Sequence, residues 1–336
     1  MWCNGAWIEP LRKPLFWEQS SALVKGRRTW EERRAAGGTA GMFFFQQSLG
    51  ESVDAWISPA PVHKHGGGMV MACSTKPADA AAMLEKCFGR FPLWRYWGPL
   101  ASPKVGRACI DWFEALTAAN DVDEAYLYLP TLDYAAQKRG PGSAADNAAF
   151  AELRRQLERL AALCDRRGAE FSVHGDYAVA GVTLPPVAPN VVLRKAGLFR
   201  TRSVAGMAYP DFHQSAAFAM CDHEICILCG PEREKAAGML IESGCCVPAP
   251  QEWQAAAQGK NLPPLLLAPE GSWCDWRWWT DRREAPDFTA HVDIHNKPGF
   301  DPRELFFFCR GLPKGTHGRS RPVARSTAGN HLPPNI

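Results

Sequence analysis

Ala125-Tyr-Leu-Tyr-Leu129, closed by Pro130 and followed by Thr131-Leu-Asp133, decides the fold of this chain. An apolar run without polar alternation reads as a strand buried on both faces, the form strands take in parallel sheets. A long helix is expected next, at about 146–167. Its Phe150, Leu153, Leu157, Leu160 and Cys164 recur three or four apart on one face, while Arg154, Arg155, Glu158 and Arg159 fill the other. Gly168 stops the helix, and Ala169 to His174 makes a second short strand. Strand, helix and strand over 125–174 form a βαβ crossover, which predicts a parallel sheet flanked by helices.

Upstream, Thr29-Trp-Glu-Glu32 has the capping-box pattern, a hydroxyl followed three residues on by Glu, and opens a short helix ended by Gly37-Gly38. A strand over 41–46, two short strands with a flexible loop over 52–74, and helices at 77–88 and 104–119 follow. Downstream, shorter signals predict a helix at 189–196, strands at 216–221 and 224–229, a helix at 232–243 and a strand at 264–268. The expected organisation is an α/β core over 1–177, a smaller mixed α/β subdomain or lid over 178–270, a return to the core over 271–310, and a flexible tail over 311–336.

The 336 residues are 46% hydrophobic, enough to bury a sizeable core. Basic residues (38) and acidic residues (35) are intermixed, so the charge of +3 makes no stripe for nucleic acid. Twelve cysteines spread over a long chain, many in apolar runs, read as reduced thiols and a cytoplasmic protein. No apolar segment reaches eighteen residues, and no membrane partner is expected.

Ligands of parallel sheets bind outside the carboxyl ends of the strands, and both strands of the βαβ unit run into an aspartate there, Asp133 and Asp176. Paired carboxylates suit a cation, although Asp is also a common turn residue. Candidate imidazoles are His63, His65, His174, His223, His295 and His317. His63 and His65 sit in a glycine-rich loop and are expected in solvent. Alternation points His174 inward, and Asp222-His223 suits a buried hydrogen-bonded pair or a site equally well. Asp293-Ile-His295 stands in a turn held by Pro298 and Gly299. Cys221, Cys226 and Cys229 are spaced like half a metal knuckle but lie in apolar, strand-like surroundings that favour core packing. The tryptophans between Trp273 and Trp279 favour packing over base stacking. Neither a Walker loop, a dinucleotide fingerprint, a nucleophile elbow nor a His-Glu-x-x-His helix is present.

Several stretches in shared order resemble bacterial type I phosphodiesterase/nucleotide pyrophosphatase proteins of the alkaline phosphatase superfamily, across nearly the whole chain. They include Asn4-Gly-Ala-Trp7 with Phe16-Trp-Glu-Gln-Ser20, Phe91-Pro-Leu93 with Trp97-Gly-Pro99, Tyr128-Leu-Pro-Thr-Leu-Asp-Tyr134, Asp222-His-Glu224, Ala285-Pro-Asp-Phe288, Val292-Asp-Ile-His-Asn-Lys-Pro-Gly299 and Lys314-Gly-Thr-His-Gly318. The resemblance implies a three-layer α/β sandwich with a mostly parallel central sheet, and a divalent metal, zinc foremost with manganese or magnesium as alternatives. It implies hydrolysis of a small phosphate ester, with the metal polarising the phosphoryl group. Asp133, Asp176 and His317, with His295 competing for the last place, are the implied ligands. Gln137 and Tyr177 stand where the family has imidazoles, and Asp222 and His223 are further site candidates. The chain opens at the family's Asn-Gly-x-Trp region, so the first strand, one metal Asp and the Ser or Thr nucleophile are expected to be missing and activity impaired. A non-catalytic binding protein on the same fold is the alternative.

Overall fold

The computed structural model describes residues 4–16, 18–66, 68–98, 100–258, 263–285, 314–316 and 326–328. These fall into two compact units. One comprises the described residues from 18 to 175 with 326–328, the other 4–16 with those from 176 to 285 and 314–316.

The first unit is built on strands β1 (Ala40–Phe43), β2 (Ala55–Pro59), β3 (Cys73–Lys76) and β4 (Glu124–Leu127), in the order β3-β2-β1-β4. β2, β1 and β4 are parallel, with Gly41 facing Ala55 on one side and Ala125 on the other, while β3 is an antiparallel edge. Alternation along β1 separates two clusters. Phe43 joins Ala55 and Ile57 under helices α1 (Ala80–Phe88) and α2 (Val105–Ala119), whose Leu84, Cys109, Trp112 and Leu116 are buried. Met42 and Ala40 face Trp30 and Val53 instead, with Tyr126 beside them.

Past β4 come α3 (Asp133–Arg139), α4 (Ala144–Arg167) and strand β5 (Phe171–Val173). The start of α4 is set by its sequence. Ser143 Oγ accepts from the Asp146 amide at 3.2 Å, and Asp146 Oδ2 accepts from the Gly142 amide at 2.8 Å, a reciprocal cap worth about 1 kcal/mol. Gly168, at φ +62, ends it, where the Ala169 amide reaches back to the Cys164 carbonyl.

Four expectations change here. The short N-terminal helix begins at Glu31 with Trp30 at its cap, and no side chain performs the capping expected of Thr29. The buried face of α4 runs through Ala149, Glu152, Gln156, Leu157, Leu160 and Leu163, while Phe150 is 46% exposed. Polar side chains replace Phe150 because they find partners inside, as described below. β4 is half-buried rather than buried on both faces, and Ala125 is exposed. Only one edge of β4 is paired among the described residues, with β1. Finally, β5 is not hydrogen-bonded to β4 but pairs antiparallel with Ser326–Ala328, within the stretch expected as a flexible tail. Leu127, Leu129, Phe171 and Val173 nevertheless pack against one cluster on α2 and α4. The mixed α/β class and the parallel sheet are as the sequence predicts.

The second unit begins with a hairpin of Gly5–Ile8 and Lys13–Phe16. After 175 come β6 (Ala180–Gly181), α5 (Pro189–Lys195), β7 (Phe218–Asp222), β8 (Ile225–Cys229), α6 (Arg233–Glu242), β9 (Val247–Pro248), β10 (Leu265–Leu267) and β11 (Gly315–Thr316). An antiparallel sheet of order β7-β8-β10-β9 carries the core, with Phe199, Ile225, Leu228, Leu240 and Leu266 buried. Asn190 locks α5 to the edge strand. Its Nδ2 donates to the Ala219 carbonyl and its Oδ1 accepts from the Ala219 amide, both at 2.8 Å, so a side chain satisfies an otherwise open strand edge.

Candidate active site

Asp133 sits where the first unit's parallel sheet ends. The Tyr128 amide still donates to the Phe43 carbonyl at 3.0 Å, extending β4 beyond Leu127, and the chain then turns through Pro130 into α3. Asp133 occupies the first turn of that helix, where backbone amides favour a negative charge. Gln137, one helical turn on and buried, donates its amide Nε2 to Asp133 Oδ1. The carboxylate is thus held from one side by a neutral donor.

The turn before Asp133 is pinned from below, and sequence reading missed this. Thr131, buried, donates its hydroxyl to Gln156 Oε1 at 2.6 Å. Gln156 Nε2 donates to the Pro103 carbonyl (2.9 Å) and to Glu152 Oε1 (3.0 Å). Glu152 in turn accepts from Arg107 at 2.6 Å and from Arg155 at 2.8 Å. The Arg107 hydrogen bonds hold the Glu152 carboxyl well below the usual range, at about 2. Gly106 on α2 admits this chain, since a Cβ there would stand 2.3 Å from Gln156 Oε1. The sequence carries no local signal for it: Glu152 and Gln156 stand one turn apart, but Pro103, Arg107 and Thr131, which satisfy them, are distant in the chain.

Other groups gather at the same carboxyl edge. Phe44, buried at the end of β1, takes φ +64, and its carbonyl accepts from the Tyr96 hydroxyl. The Phe45 and Tyr128 rings lie 5.7 Å apart. Gln46 Oε1 is buried with no hydrogen-bond partner, an acceptor left open beside the strand ends. Lys138 stands 5.8 Å over the Tyr134 ring, and burial lowers its ammonium pKa.

Asp176 and Tyr177 belong to the second unit. Asp176 keeps much of its surface open, while the protein packed around it raises its carboxyl pKa; the exposure limits that rise. Its Oδ1 accepts from the Tyr177 amide at 2.9 Å. Four residues beyond Asp176, β6 pairs antiparallel with β11, placing Ala180 opposite Thr316, and the Val182 amide donates to the Lys314 carbonyl at 3.1 Å. The segment of Asp176 and the one leading into His317 are therefore joined. Thr316 is fully buried, and its Oγ1 has no partner. His295 and His317 lie outside the described residues.

His174 is exposed rather than turned inward, because its strand pairs with Ser326–Ala328 on one edge and leaves this end open. His63 and His65 are exposed, as their loop predicts. His223 takes φ +55 in the two-residue turn between β7 and β8, and Asp222 accepts from the Asn4 amide at 2.7 Å. Trp276, Trp278 and Trp279 meet edge to face with centroids 5.4 Å apart, and Trp278 Nε1 donates to the Ala208 carbonyl at 2.7 Å.

The first unit offers the Asp133 carboxylate and the buried Gln46 oxygen, and the second offers the Asp176 carboxylate and the buried Thr316 hydroxyl. Among the described residues no group of three or more His, Cys, Asp or Glu is disposed to hold a metal ion. The described residues therefore do not by themselves complete a metal site.

Comparison with known proteins bears on this edge. Residues 4–301 match the sequence profile of the family described as type I phosphodiesterase / nucleotide pyrophosphatase. Phosphonoacetate hydrolase from Sinorhizobium meliloti 1021, solved with phosphonoformate, is similar at TM-score 0.54 and 14% identity, over 99% of this chain and 75% of that one. Its complex with phosphonoacetate gives the same score and identity, over 100% and 75%. Murine ectonucleotide pyrophosphatase/phosphodiesterase 5 scores 0.48 at 13% identity, over 94% and 70%. No curated protein sequence matches significantly.

Proposed function

Because the chain belongs to the type I phosphodiesterase/nucleotide pyrophosphatase family, we propose that Asp133 and Asp176, with His317 as the late imidazole and His295 as its competitor, are ligands of a divalent cation that serves phosphoric ester hydrolysis. The observation that carries this reading is the position of Asp133, within the matched span, at the carboxyl edge of a parallel sheet on a turn braced by Thr131 and Gln156. The pairing of β6 with β11 supports His317 over His295, since it joins the Asp176 segment to the residues just before His317.

Zinc is the first choice of cation, with manganese or magnesium as alternatives, and it would supply Lewis-acid polarisation of the phosphoryl group. Asp133 would offer its carboxylate, with Gln137 setting that carboxylate's orientation. The substrate class is a small phosphate ester or phosphonate, the latter suggested by the ligands of the Sinorhizobium hydrolase. Residues 1–336 by themselves are proposed to turn over slowly, for want of an evident Ser or Thr nucleophile among them. A cytoplasmic site of action suits free thiols such as those of Cys87, Cys109 and Cys164. No helix among the described residues is long and apolar enough to cross a membrane.

A non-catalytic reading keeps one observation in its favour, the Gln137 amide that already occupies one oxygen of Asp133. Zinc and manganese titration by calorimetry separates the two, alongside turnover of bis(p-nitrophenyl) phosphate. Metal uptake that falls by an order of magnitude or more in both Asp133→Ala and Asp176→Ala supports the site. Equal uptake and equal turnover in wild type and both variants would overturn it.

A further inference from the structure

Four thiols of the second unit converge beneath the Asp222-His223 turn. Cys221 and Cys226 face each other across the β7–β8 hairpin. Cys246 enters from the segment before β9, and Cys274 from the loop whose amide donates to the His223 carbonyl at 2.7 Å. All four are buried, with Cys226 at 0% exposure and Cys221, at 7%, the most open. They contact one another through sulfur: Cys221 with Cys226 and Cys274, Cys226 also with Cys246 and Cys274, and Cys274 with Cys246. Cys229, which the sequence spacing grouped with Cys221 and Cys226, is three residues beyond Cys226 on the same strand and points to the other face.

We infer that Cys221 and Cys226 form a peroxide-sensitive dithiol, which oxidation converts into a cross-strand disulfide around the Asp222–Ile225 turn. The geometry permits the bond. In a hairpin closed by a two-residue turn, the flanking pair, here Asp222 and Ile225, is the hydrogen-bonded one, and the next pair, Cys221 and Cys226, is the close, non-hydrogen-bonded one, with Cα atoms about 4.5 Å apart and Cβ atoms on the same face. That lies at the short end of the range disulfides accept, where strain makes the bond easy to reduce again. The four thiols are not disposed as a metal site.

The division of labour is readable from the environment. Hydrogen bonds from the Cys226 and Cys274 thiols bring the Cys221 thiol down to about 7, whereas Cys226, which gives a hydrogen bond to Cys221 and is more deeply buried, is pushed up. Cys221, also the more open of the two at 7% exposure against 0%, is therefore the attacking sulfur. Its thiolate attacks one oxygen of hydrogen peroxide; the S–O bond forms, the O–O bond breaks, and the departing hydroxide leaves as water after taking a proton. The Cys226 sulfur then attacks Cys221, forming S–S and breaking S–O, with its proton leaving in a second water. Two thiols and one peroxide give one disulfide and two waters.

The test uses reduced protein of residues 1–336, treated with one equivalent of hydrogen peroxide, unfolded, alkylated with iodoacetamide and cleaved after glutamate. Cleavage at Glu224 separates Cys221 from Cys226, so a disulfide keeps the two peptides joined. The expected result is that joined pair, two hydrogens lighter than the sum and unalkylated at both positions, released by dithiothreitol. In Cys226→Ser the link is lost, and Cys221 is trapped as its sulfenic acid by dimedone. Full alkylation of Cys221 and Cys226 after a dose that oxidises the exposed Cys87 overturns the inference. So does linkage of either sulfur to a different cysteine. A stoichiometric soft metal on the protein as isolated, shielding all four thiols from alkylation, overturns it as well. The wild-type mapping stands even where the variant fails to fold.

Discussion

His223 holds φ +55 at the first position of a two-residue turn, a backbone state that β-branched residues avoid and Asn accepts. Its carbonyl accepts from the Cys274 amide, so the turn is fixed through its backbone. His223→Asn is therefore expected to keep stability within about 0.5 kcal/mol, while His223→Val loses about 1–2 kcal/mol. Urea unfolding of the pair checks this, and equal losses would mean that the imidazole, not the backbone, is what the turn requires. Gly106 makes the opposite case, because a helical glycine exchanged for alanine ordinarily gains about 1 kcal/mol. Here the added Cβ would displace Gln156 Oε1, and that side chain is tied to Thr131, Pro103 and Glu152. Breaking buried hydrogen bonds at about 1 kcal/mol each outweighs the propensity gain. Gly106→Ala should lower stability by about 1–2 kcal/mol, and a raised melting temperature would show that Gln156 is free to move.

Helix α4 joins the site to its support, and its energetics are set by Glu152. The folded pKa of this carboxyl is depressed, so its contribution is complete above the unfolded value near 4.5 and is lost as pH falls from there towards about 2. Arg107 and Arg155 are each more than half exposed, which discounts the contribution to about 1–3 kcal/mol. Glu152→Gln should flatten the acid limb of the stability curve in that window; unchanged pH dependence would remove Glu152 from the account. The same helix shows what a sequence discloses. Its span was readable to within two residues, because Gly168 and the 3.6-residue period are local signals. Its inward face was not, since Glu152 and Gln156 are buried only by virtue of Arg107, Thr131 and Gly106, all distant in sequence. Asp133 could be placed at a strand end for the local reason that Pro130 stops β4. The joining of Asp176's segment to Gly315–Thr316 could not, because a two-residue strand leaves no periodic signature.

Two units with separate cores make stability a local property of this chain. The apolar cluster around β7, β8 and β10 contains only residues of the second unit, and the clusters around β1 and α4 contain only residues of the first. Such an arrangement departs from all-or-none unfolding, so a single unfolding free energy does not describe it. Glu152→Gln supplies a probe confined to one unit. Near pH 2, where the wild-type contribution is lost, the variant and wild type should exchange amide hydrogens at similar rates throughout. At neutral pH the variant should exchange faster across 105–167 by about fivefold or more, the factor that corresponds to a loss of about 1 kcal/mol. Strands β7, β8 and β10 should keep their protection in both proteins. Faster exchange in those strands as well would mean that the two cores open together, and the acid sensitivity of Glu152 would then reach the Asp176 segment too.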